Sequence, residues 1–72
     1  MNIEQTQNLF KPRIETKVKI KIRGEKRYRH GILEKVDNYI FQGLDCGEHE
    51  ALFFRQKKGI LVIRLKEVEQ IT

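Results

Sequence analysis

Apolar and polar positions alternate most regularly at residues 17–23, Lys-Val-Lys-Ile-Lys-Ile-Arg. A period of two over seven positions predicts a half-buried strand, with Val18, Ile20 and Ile22 facing a core and the cations facing water. Upstream, Ile3, Leu9 and Phe10 are spaced among Gln5, Thr6, Gln7 and Asn8. This predicts a short amphipathic helix over residues 2–10, capped by Asn2 and ended at Pro12.

Beyond residue 23 the pattern reads as further strands with short connections. Arg23-Gly24-Glu25-Lys26 is a tight hairpin signal, with Gly24 at the positive-φ position of a type II′ turn. A second strand is expected over about 26–36, bent at Gly31. Asp37-Asn38 reads as a turn and 39–45 as a third strand. Residues 46–50 form a polar break. Ala51 to Ile63 reads as a fourth strand that pauses at 55–59, followed by a brief turn at 65–67 and a short final strand containing Val68, Gln70 and Ile71. The expected architecture is all-β: one domain over 1–72, with a short helix (about 2–10) followed by a strongly bent, five-stranded small barrel (about 17–72). Its last two strands would be edges able to pair with further copies.

Composition sharpens this picture. At 72 residues the chain is near the lower limit for a self-sufficient core, and association is one route to added stability. Cys46 is the only thiol, which suits a reducing cytoplasm. No apolar run approaches membrane-spanning length, so no membrane association is expected. The net charge is +5, and residues 11–30 hold nine cations against two anions. Such a concentrated basic segment is an electrostatic footprint for nucleic acid. His30, Cys46 and His49 do not have metal-ligand spacing, and no nucleophile–base or phosphate-loop arrangement occurs. The chain reads as non-enzymatic and without a cofactor.

Two segments carry a resemblance. Gly31-x-Leu33-x-x-x-Asp37-x-Tyr39-Ile40-x-x-x-Leu44 resembles the first motif of the Sm and Sm-like family, and Val36-Asp37-Asn38-Tyr39 is similar to the turn of its Hfq branch. Lys58-Gly59-Ile60-Leu61-Val62-Ile63-Arg64-x-x-x-Val68-x-x-Ile71 resembles the second motif. Three positions depart from the family. Phe41 stands where the Sm branch has a base-reading Asn. Leu65 replaces the Gly after Ile-Arg, and the Tyr-Lys-His signature of the Hfq branch is missing.

The resemblance implies that the five-stranded barrel is Sm-like (SH3-like), and that it forms a homo-oligomeric ring of six or seven copies that binds single-stranded RNA, U-rich sequences included, as an RNA chaperone or post-transcriptional regulator. It places Tyr39 on a pore-facing loop as a base-stacking residue, with Arg64 on the opposing loop. Stacking suits an aromatic face, which contributes about 1–3 kcal/mol per base. Lys66 would add a cation at the same rim, and Asn38 would read a base edge. Gln7 would line the pore face, while Lys11 and Arg13 would steer RNA through phosphate contacts. Two other functions fit the same meander: a monomeric SH3-like adaptor that binds an acidic protein through its basic strand, and a basic module that binds duplexes.

Overall fold

A computed structural model describes residues 2–72. Helix α1 spans Ile3–Phe10 and is followed by a 3₁₀ turn, Lys11–Arg13. Five strands follow: β1 (Lys17–Ile22), β2 (Arg29–Phe41), β3 (Gly47–Gln56), β4 (Gly59–Arg64) and β5 (Val68–Ile71), with a second 3₁₀ turn, Leu65–Glu67, before the last. All pairings are antiparallel, in the order β4-β3-β2-β1-β5. This is the expected all-β class: a short helix leading into a five-stranded, Sm-like small barrel.

The helix begins with a capping box. The Asn2 side chain accepts from the Gln5 N–H, and the Gln5 side chain accepts from the Asn2 N–H. Its inner face is Ile3, Thr6 and Phe10, at i, i+3 and i+7. Thr6 is buried, and Ile3 and Phe10 pack on the core. Leu9, expected among the apolar face, points to solvent at 64% exposure. Gln7 ties the helix down by donating from Nε2 to the Val36 carbonyl at 2.8 Å.

Several boundaries differ from those expected. The first turn runs from Ile22 to Glu25, whose N–H donates to the Ile22 carbonyl. Gly24 (φ +86°) therefore occupies the third position of this turn, not the second. β2 begins only at Arg29, and the intervening loop is closed by a two-pronged Arg29–Glu25 ion pair. Asp37-Asn38 forms no turn. Both residues lie inside β2, opposite Ala51 and Glu50, because a long partner strand supplies ladder bonds that local Asx geometry cannot match. The expected third strand is the end of β2, and the chain reverses at 42–46 instead. The expected fourth strand is a hairpin, β3 and β4, turning at Lys57-Lys58.

The core is Val18, Ile20, Leu33, Val36, Leu52, Phe54 and Ile63. Phe54 is wholly buried, whereas its neighbour Phe53 lies on the opposite, half-buried face. Two irregularities shape the barrel. A bulge leaves Glu34 unpaired between Leu33↔Phe54 and Lys35↔Phe53, so both Leu33 and Val36 reach the core. At Gly31, β2 runs so close to β3 that an added Cβ would lie 2.5 Å from the Arg55 carbonyl oxygen and 2.8 Å from Phe54 Cζ.

The second of these contacts is with a ring that fills the core, and the first is with backbone, so neither can move aside. Gly31→Ala is expected to destabilise the fold by about 3 kcal/mol, the upper part of the overpacking range. A denaturant titration measures this directly, and an unchanged midpoint would show that the strands can separate without cost.

Candidate nucleic-acid interface

After the Glu34 bulge, alternate residues of β2 present Lys35, Asp37, Tyr39 and Phe41 on the outer face of the sheet, with Asp37 opposite Ala51. The ladder sets Tyr39 opposite His49, and Lys35 opposite Phe53. The rings meet edge to face. Tyr39 lies 5.0 Å from Phe41 at 71°, and 5.8 Å from Phe53 at 80°. Phe41 also sits 6.0 Å from the His49 ring. Beneath them Ala51 is fully buried. This is a second apolar cluster on the outside of the barrel.

Cations close both ends of this row. Lys35 Nζ stands 4.6 Å over the Phe53 ring at one end. At the other, the Arg64 guanidinium lies 4.2 Å over Phe41. Tyr39 itself is 42% exposed.

Arg64 ends β4 and reaches across to the 42–46 loop. Its Nη2 donates to the Leu44 and Asp45 carbonyls, both at 3.1 Å, while Nε is buried without a hydrogen-bond partner, 3.8 Å from Asp45 Oδ2. Lys66, in the turn before β5, forms an ion pair with the same carboxylate. Asp45, at φ +56°, thus draws the β2–β3 loop onto the β4–β5 turn. The hydrogen bond from Lys66 holds its carboxyl below the ordinary carboxylate range against a smaller opposing desolvation, with further attraction from Lys66, His49 and Arg64. His49 Nε2 lies 3.1 Å from the Asp45 carbonyl oxygen. Leu44, at the loop tip, is 94% exposed.

The expected site residues fall into three groups. Tyr39, Arg64 and Lys66 come together, linked through Phe41 and Asp45. Tyr39, however, is on a strand and not on a loop, three positions before the reversal. Asn38 faces the other side of the sheet from Tyr39, in the ladder opposite Glu50, whose carboxylate accepts from the Thr6 hydroxyl at 3.1 Å. Gln7, Lys11 and Arg13 belong to the helix and its 3₁₀ extension. Gln7 has its amide nitrogen committed to Val36. Lys11 and Gln7 share a shallow cleft of about 260 Å³ with Lys35. That cleft adjoins the aromatic row, because Lys35 belongs to both.

The sequence reading did not single out Lys35, Asp45 and Phe53 for the site. A signal existed in the aromatic-x-aromatic step at Tyr39-x-Phe41 and in Gly43 and Gly47 bracketing a turn. Comparison with protein-family models, with curated proteins and with solved structures finds no match. Among the described residues, no helix is long and apolar enough to cross a membrane.

The Asp45 latch has a defined pH dependence. Its folded pKa is depressed, so its contribution is complete above the ordinary carboxylate value near pH 4 and is lost as pH falls through the lower folded value. The Asp45 carboxyl is expected to titrate by NMR below that ordinary value, with the Leu44 and Asp45 amides moving in step. In Lys66→Met the titration should return towards the ordinary value. A normal midpoint in the parent would show that Lys66 and Asp45 do not stay paired in solution.

Proposed function

We propose that this chain is an Sm-like, non-enzymatic subunit that binds single-stranded RNA in the cytoplasm as a homo-oligomeric ring. The observation that carries the reading is the outer-face row Phe53–Tyr39–Phe41, with Lys35 at one end and Arg64 and Lys66 at the other. Single strands are held by aromatic platforms beside cationic grooves, since every base has a π-face and every linkage a phosphate. Tyr39 is the stacking residue. Arg64 and Lys66 meet phosphate or base at the loop rim, in competition with Asp45. Lys11, with Lys35, extends the cationic edge, and Arg13 steers by charge.

Association is supported by the two open edges. Among the described residues, β4 pairs only with β3 and β5 only with β1, so each leaves one side without a strand partner. The β4 edge also exposes Ile60. Pairing β4 of one copy with β5 of the next is a head-to-tail contact, which closes into a ring when the rotation permits. Many equivalent sites on one ring would favour annealing or protection of bound RNA, because further contacts become intramolecular.

Native mass spectrometry with and without a short U-rich RNA tests this. The expected result is six or seven times the 8.6 kDa of one chain, with RNA taken up by the ring. A lone chain that ignores RNA would instead support the adaptor reading. Within a binding-competent ring, Tyr39→Ala should weaken single-strand binding by about 1–3 kcal/mol while the assembly stays intact. Unchanged affinity would remove Tyr39 from the site.

A further inference from the structure

A second cleft, wider than the one beside Lys35, lies away from the aromatic row. It has a volume of about 740 Å³ and opens at the other end of β3, where Arg55–Lys57 passes β1 and the bend of β2. Its floor is apolar, formed in part by Val18 and Gly31. Its walls carry Lys17 and Lys19 from β1, Arg55 from the end of β3 and Lys57 from the turn after it; among the described residues no acidic side chain lines it, and Thr72 brings the terminal carboxylate to its rim.

These cations are not equivalent. Arg55 is neutralised by Glu34 at 2.7 Å and Glu15 at 3.3 Å. Among the described residues, Lys17, Lys19 and Lys57 have no carboxylate partner, as is also true of cations outside the cleft such as Lys26, Arg27 and Lys58, whereas seven other cationic side chains, His49 included, are paired. Lys19 is steadied by the Tyr28 ring, 5.5 Å from Nζ. Three ammonium groups without carboxylate partners around one groove give it a positive potential that attracts a polyanion. Lysines are point charges that suit phosphate without demanding a planar bidentate partner.

We infer that this cleft is a second site for a chain of phosphates, and that it takes the sugar–phosphate backbone of the RNA. That assignment rests on the function proposed above. The ten residues of β3 join the two sites, with Gly47 beside the aromatic row and Gln56 in the cleft wall. One strand of RNA would then be stacked at one end of β3 and held by charge at the other. The cleft contributes affinity without base preference, because phosphate contacts carry no sequence information.

The test compares the parent with the triple variant Lys17→Gln, Lys19→Gln, Lys57→Gln. All three side chains are exposed, so thermal melting should be unchanged. Binding of a U-rich single strand is measured between about 50 and 200 mM salt. Each lost phosphate contact lowers the slope of log affinity against log salt by about 0.7, so the triple variant should lose about 2 from the slope. The same slope in parent and variant overturns the inference. If the parent binds no RNA, the proposed function fails on its own, and inorganic polyphosphate decides the cleft. Loss of polyphosphate binding in the variant keeps the cleft as a phosphate-chain site, and equal binding in both proteins overturns it. A free nucleoside monophosphate that competes as well as the oligonucleotide would overturn the chain-of-phosphates reading. So would polyglutamate competing equally with RNA, which would assign the cleft to an acidic peptide.

Discussion

The close approach of β2 to the end of β3 at Gly31 is the contact on which the barrel depends. Ile32 is shared, facing Lys17 on one side and Arg55 on the other, and beyond it β2 pairs with β1 alone. The strand must fold sharply there for a sheet of five strands to close over seven core side chains. Only a residue without Cβ lets the Arg55 carbonyl and the Phe54 ring come so near. The bend brings the β1 face against the β3 end and so forms the lysine cleft. The same fold keeps Phe54 fully buried.

The Glu34 bulge decides what lies outside. One extra residue shifts the inside–outside alternation of everything after it. Val36 joins Leu33 in the core, and Lys35, Tyr39 and Phe41 turn outward. Without that shift the aromatic residues of β2 would compete for the interior. With it they cover Ala51 from the far side, and the exposed Tyr39 becomes available to a planar ligand. The helix completes the arrangement by docking Ile3, Thr6 and Phe10 against the barrel, anchored through Gln7.

Electrostatics divides the surface into two kinds of cation. Arg29, Arg55, Arg64 and Lys66 are engaged by Glu25, Glu34 with Glu15, and Asp45, where they close loops and fix strand ends. Among the described residues, Lys17, Lys19 and Lys57 have no carboxylate partner and leave their charge uncompensated beside the cleft. Exposed ion pairs of the first kind contribute little to stability singly, but they set where the loops sit. The Asp45 latch matters in this sense, since it holds the β2–β3 loop beside the β4–β5 turn and places Arg64 over Phe41.

Much of the molecule was legible from residue order alone, for a physical reason. Alternation over 17–22, the Asn2 cap, Pro12, Gly31 and the final turn are local signals, each fixed by backbone sterics or by a period of two or 3.6. They determined the all-β class, the helix, the bend, and the core role of Val18 and Ile20. The concentration of charge in 11–30 was equally plain. What lay between them depended on pairing. Asp37-Asn38 has the chemistry of a turn, but β3 offered it a continuous ladder, and distant partners override local preference. Whether Phe53 or Phe54 entered the core depended on which face of β3 met Leu33 and Val36, a pairing that no local pattern announces. The cluster of Tyr39 with Arg64 and Lys66, the commitment of Gln7 to Val36, and the separation of paired from unpaired lysines all join residues far apart in the chain. Such long-range contacts exist only once the barrel has closed, and the tertiary structure alone decided them.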